Sequence, residues 1–104
     1  MNNYLLTFHG PMEPMSEDPA EIEALKQEWG VWFAEIGDAV VDGGAPVEVA
    51  ASIDPSGAEI ENPASISGYT IIRAEHLAAA VEMARSCPVL REGHSIQVSE
   101  GIDI

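Results

Sequence analysis

The sequence holds three histidines and one cysteine, and these are the side chains best suited to chemistry near neutral pH. An imidazole titrates near pH ~6.5, so it can take up or give up a proton under ordinary conditions. Two imidazoles beside a thiol would suit the binding of a small acid and a proton transfer to or from it. His9 and His94 are therefore the candidate catalytic residues, with Cys87 beside them as a candidate substrate contact. A plainer role for the histidines is to bond loop backbone where strands end. Cys87 falls at the C-terminal end of a helical pattern, where the helix dipole disfavours a thiolate. The net charge of −14 disfavours it further. Its expected role is that of a small, buried helix-end residue rather than a nucleophile. The donor types of His9, Cys87 and His94 would suit a zinc ion, but no zinc-type Cys/His spacing occurs, and no metal is expected.

Trp29, Trp32 and Phe33 share one stripe of a helical pattern, so packing is their default role. Either tryptophan could also wall a pocket for a ring-bearing ligand, and both are candidate substrate contacts. His76, near the start of a second helical pattern, reads as a capping or surface residue. Glu17, Asp18, Glu21, Glu23, Glu28 and Glu35 read as the solvated face of the first helix.

The elements that must position these residues follow from periodicity and punctuation. Residues 4–9 (Tyr-Leu-Leu-Thr-Phe-His) read as a strand whose nearly continuous apolar run suggests burial on both faces. Gly10 and Pro11 end it, and Pro14 keeps the next stretch irregular. Asp18 is an N-cap with Pro19 at the first helical position and Glu21 completing a capping-box-like pattern. Ile22, Leu25, Trp29, Trp32, Phe33 and Ile36 form the apolar stripe, and Gly37 stops the helix. Ala39-Val40-Val41 is a short second strand running into Gly43-Gly44-Ala45-Pro46. Residues 47–65 form a partly hairpin-like excursion with turn signals at Pro55-Ser56-Gly57 and Asn62-Pro63. Residues 68–73 (Gly-Tyr-Thr-Ile-Ile-Arg) are a strand. Residues 75–86 are an Ala-rich helix with Leu77, Ala80, Val81 and Ala84 facing inward, ended by Cys87-Pro88. Residues 94–98 are the last strand.

The order β-α-β-excursion-β-α-β is that of an α+β, ferredoxin-like split βαβ fold: a four-stranded antiparallel sheet with two helices on one face. Right-handed crossovers place strands one and three centrally, with four beside one and two beside three. His9, Cys87 and His94 then fall at one end of the sheet, where the first helix begins. Strands one and three carry apolar groups on both faces, so the face without helices needs cover, and a second copy of the chain is the economical cover.

Composition bounds the rest. A chain of 104 residues with 46% hydrophobic content supports one domain spanning residues 1–104. Four Lys and Arg against 18 Asp and Glu make nucleic acid and anionic membrane surfaces poor partners. The first residues, Met-Asn-Asn-Tyr-Leu-Leu, show neither a basic leader nor a long apolar run, so neither signal peptide nor membrane span is expected. A single cysteine rules out an internal disulfide and makes a reducing cytoplasm the default compartment. No P-loop, GxSxG or GxGxxG occurs, and no cofactor is expected.

The combination of Gly68-Tyr69-Thr70-Ile71-Ile72, Ala80-Val81-Glu82-Met83-Ala84, Cys87-Pro88 and Gly93 before the last strand resembles the YCII-related family. Tyr4-Leu5-Leu6, the helix bearing Trp29 and Trp32, and Gly43-Gly44-Ala45-Pro46 extend the resemblance over nearly the whole chain. It implies a dimeric α+β barrel and an enzyme that processes a small cyclic or aromatic acid. Members of the wider family carry a histidine near the first helix and the aspartate of an Asp-Pro as an acid/base pair. Here Cys87 stands at the aspartate position, the first helix has no histidine, and Asn62-Pro63-Ala64-Ser65 replaces one branch's Asp-Gly-Pro-Phe. The sequence thus leaves two readings: an enzyme using acid/base chemistry on a small organic acid, or a non-catalytic dimeric ligand-binding or accessory module.

Overall fold

A computed structural model describes residues 1–10, 18–61 and 66–102. Its elements are β1 (Asn2–His9), α1 (Pro19–Ile36), a 3₁₀ turn (Gly37–Ala39), β2 (Val40–Pro46), β3 (Ser52–Ile53), β4 (Glu59–Ile60), β5 (Ile66–Ala74), α2 (Leu77–Arg85), a second 3₁₀ turn (Pro88–Glu92) and β6 (Ser95–Glu100). The breaks expected at Pro11, Pro14 and Asn62-Pro63, and the acidic Glu17, lie outside the described residues.

The main sheet has the order β2-β5-β1-β6 with every neighbour antiparallel. The order expected from the pattern holds: the first and third long strands are central. The fold is α+β, a four-stranded antiparallel sheet with two helices, an arrangement compatible with a ferredoxin-like fold. The excursion contains a separate two-stranded hairpin, β3 with β4. Asp54 shapes its turn by accepting from the backbone N–H groups of Ser56 and Ala58.

Alternation along the two central strands decides what is inside. Tyr4, Leu6 and Phe8 on β1 and Thr70, Ile72 and Ala74 on β5 are buried on one face. There they meet Trp32 from α1 and Ala80 and Ala84 from α2. α1 starts as its sequence predicts, with Asp18 accepting the Ala20 N–H at 2.9 Å. Phe8, Trp29, Trp32 and Phe33 then stack with ring centroids 5.1–5.9 Å apart. The Trp32 indole N–H donates to the Met83 carbonyl at 2.9 Å and ties the two helices together.

No helix among the described residues covers the opposite face of the sheet. Leu5 is 38% exposed and Val41 48%, while Tyr69 and Ile71 are half-buried beside them. The two-faced burial expected of the first strand is thus met on one face within one chain. Three local expectations are corrected. Gly43, Gly44 and Pro46 belong to β2 rather than to a loop, because two register shifts let the strand bulge past β5. α2 begins at Leu77, with His76 as the cap whose Nδ1 accepts the Ala79 N–H. Leu77 itself is 52% exposed, because the first turn sits at the end of the sheet and Ala80 and Ala84 define the packed face.

Two glycines test the backbone account. Gly44 has φ +73, and a Cβ there would collide with the Tyr69 carbonyl oxygen. Gly30 lies inside α1 with open space around its Cα. Gly44→Ala is expected to lower stability by about 2 kcal/mol or more, while Gly30→Ala raises it by about 0.5–1 kcal/mol. Urea midpoints of the two variants check both signs.

Candidate functional site

The ladder brings the two candidate histidines to one end of the sheet. His9 lies opposite Ser95, the residue after His94. α2 and the second 3₁₀ turn deliver Cys87 to the same end, and the turn closes on Gly93 in the left-handed conformation. The His94 N–H then donates to the Val89 carbonyl.

The two rings do not share partners. His9 follows Phe8 on β1, so it shares the open face with Thr7, and its Nε2 lies 2.8 Å from Thr7 Oγ1. The His94 ring lies against Gly10, where an added Cβ would sit 2.7 Å from His94 Cγ. By alternation Gly10 faces the helices, as Phe8 does, so His94 occupies the helix side of the rim. Only the absence of a side chain at residue 10 leaves room for it there.

His94 has a partner that the pattern did not disclose. Its Nδ1 is 2.9 Å from Ser67 Oγ, and that hydroxyl donates to the Phe8 carbonyl at 3.2 Å. A hydroxyl has one proton to give. With that proton on the Phe8 carbonyl, His94 must donate Nδ1–H to Ser67, which leaves Nε2 as the basic nitrogen. Burial raises the Glu92 carboxyl above the usual range, the charge of His94 opposes that rise, and Glu28 adds to it. Glu28 on α1 also pairs with Arg91 of the second 3₁₀ turn at 3.5 Å. The rim can therefore hold a neutral imidazole in one tautomer, with Nε2 as its basic nitrogen.

Ser67 and Glu92 are the residues that sequence reasoning missed. Ser67 owes its position to the register shift between Phe8 and His9, which jumps the β5 partner from Gly68 to Ile66. A bulge of this kind has no periodic signal. Glu92 was one carboxylate among 18, and only the 3₁₀ turn sets it beside His94.

Cys87 is 1% exposed and belongs to the core. Desolvation by burial pushes its thiol up to about 11, with a small opposing contribution from the Val89 N–H and a supporting one from Glu92. Trp32 is buried as well, whereas Trp29 is half-buried against Phe8. Among the described residues no group of three or more His, Cys, Asp or Glu is placed to hold a metal ion. No helix among them is long and apolar enough to cross a membrane. The larger described cleft, about 580 Å³, opens at the opposite end of the sheet, beside Arg73, Ala74 and Met83.

No family model matches the chain, and no curated protein matches it.

The thiol gives a direct check of the core assignment. A pKa raised from its ordinary 9.0 to about 11 lowers the thiolate fraction at pH 8 by ~100-fold relative to the unfolded chain. Alkylation of native Cys87 should be slower by at least that factor. The unfolded thiol ionises first as pH rises, so the thiol's contribution to stability is intact below pH 9.0 and is lost between 9.0 and about 11. Labelling kinetics in buffer and in denaturant, and urea midpoints across that pH window, read both effects.

Proposed function

We propose that the chain is a YCII-like small-molecule protein that works as a homodimer and uses His94 for acid/base chemistry on a small organic acid. The observation that carries this reading is the His94–Ser67 bond at 2.9 Å. Ser67 fixes the tautomer and Nε2 takes the proton. The half-buried edge of Trp29 offers an apolar wall for a cyclic or aromatic body. His9 serves the opposite face, where its bond to Thr7 makes it a positioning group at the proposed subunit boundary.

The dimer follows from the uncovered face. Leu5, Val41, Tyr69 and Ile71 form an apolar patch on a sheet only one of whose faces is packed in the single chain. A second copy on that face gives the dimeric α+β barrel that the sequence resemblance implies, with an interface above ~1,000 Å² in total. A second reading, a non-catalytic accessory module, is favoured by one observation: Cys87 and Trp32 are sealed in the core and the larger cleft lies away from both histidines.

Light scattering after size exclusion should give twice the chain mass, and Leu5→Glu or Ile71→Glu should dissociate or unfold the protein. Titration with benzoate and cyclohexanecarboxylate, followed by amide chemical shifts, should move Ser67, Glu92 and His94, and His94→Gln should abolish the response. Undisturbed rim amides in a folded dimer would leave the accessory module as the reading that stands.

A further inference from the structure

The two edges of the sheet differ. β2 forms one edge with Asp42, Pro46 and two register shifts, features that keep an edge from pairing further. β6 forms the other, and among the described residues no strand lies beyond it. It pairs with β1 without a register shift. Its stretch Ser95-Ile96-Gln97-Val98-Ser99 holds no proline, glycine or charged residue, in a chain of net charge −14. The usual guards of an edge strand are missing from it.

That stretch is also a chemical palindrome about Gln97: serine, aliphatic residue, amide, aliphatic residue, serine. Two copies of one strand paired antiparallel about a two-fold axis set residue i opposite residue j and j opposite i. With the axis at Gln97, Ile96 meets Val98 on the helix side and Ser95 meets Ser99 on the other side. Gln97 meets its own copy. Glu100, whose carboxylate accepts from Asn2 and Tyr4, comes opposite His94 of the second copy. Like meets like along the strand, and a carboxylate meets an imidazole at each end.

The backbone agrees. One step beyond the Tyr4–Glu100 pair, the Gly101 N–H donates to the Asn3 carbonyl at 2.8 Å. Such bonds recur at every second residue of an antiparallel pair, so Ser99, Gln97 and Ser95 turn their backbone groups to β1. Ile96 and Val98 turn theirs outward. Those are the residues that the two-fold pairing sets opposite each other, and each such pair exchanges two N–H to carbonyl bonds.

We propose that β6 pairs with β6 of a second copy, antiparallel about a two-fold axis at Gln97, and that this seam joins the subunits. The inference rests on the homodimer reading and adds how the copies meet. Four strands from each copy run into one sheet whose uncovered faces lie on the same side. Curling of that sheet turns Leu5 and Ile71 of both copies inward. Each end of the seam brings Glu100 of one subunit to the His94 rim of the other.

Cysteine cross-linking of the full chain tests the axis. Opposed residues that exchange no backbone bonds have Cα atoms ~4.5 Å apart, within disulfide reach. Gln97→Cys, at an exposed position, should form a covalent dimer under mild oxidation. Ser95→Cys alone should not, because its own copy lies four residues away, roughly 13 Å at ~3.3 Å per residue; mixed with Ser99→Cys it should. Ile53→Cys, 68% exposed on the hairpin, sets the rate of random collision, and the buried Cys87 takes no part. Gln97→Lys and Gln97→Glu should each weaken association roughly two- to fivefold by opposing like charges, and mixing the two variants should restore it. If light scattering shows a dimer but Gln97→Cys cross-links no faster than Ile53→Cys, the seam is overturned and the dimer stands. A monomer would remove both.

Discussion

β1 is hydrogen-bonded along both edges, to β5 and to β6, and its side chains alternate between a face packed by helices and a face without them. Tyr4, Leu6 and Phe8 cannot leave the packed face without pulling Asn3, Leu5 and Thr7 into it, because a one-residue slip inverts every side chain. That constraint fixes the neighbours. Thr70 and Ile72 are held opposite Leu6 and Tyr4, and Ile96 and Val98 opposite Phe8 and Leu6. The helices settle on the apolar surface this produces, and Trp32 joins them through Met83. Truncating Leu6, which is fully buried at the centre of this arrangement, removes contacts worth about 2–5 kcal/mol.

The same alternation separates the two histidines. A residue at the end of β1 that follows Phe8 must project away from the helices, and His9 does. His94 precedes β6 and sits over a glycine on the helix side, so the two rings share an end of the sheet but not a face. The proposed chemistry at the rim is accordingly assigned to His94 with Ser67. The buried thiol of Cys87 packs beneath, protonated across the neutral range.

Much of this was legible in the residues. The three-and-four spacing from Ile22 to Ile36, the Asp18-Pro19 start and the Gly37 stop describe α1 as it stands, and connection rules gave the strand order. The lengthened β2 was not legible, because Gly43-Gly44 and Pro46 signal a loop until β5 accepts them through two register shifts. Ser67 was hidden for a related reason: the strand pattern begins at Gly68, and the bulge that turns Ser67 toward His94 exists only in the pairing. Leu77 has the spacing of an inward residue and fails to pack because the sheet ends beneath it.

The open face carries the largest consequence. The molecule is 18 Å thick in its shortest dimension and its radius of gyration is 15.2 Å, against ~13 Å for a compact chain of this length. Such a two-layer slab leaves Leu5 and Ile71 on the outside of its sheet, the face that the proposed second copy would cover. Methyl protons report the cover directly. With a soluble paramagnetic agent in the solvent, the methyls of Leu5 and Ile71 should be as protected as those of the core residues Leu6 and Ile72. Attenuation equal to that of Ile53, which is 68% exposed on the hairpin, would show a bare face and contradict the dimeric account.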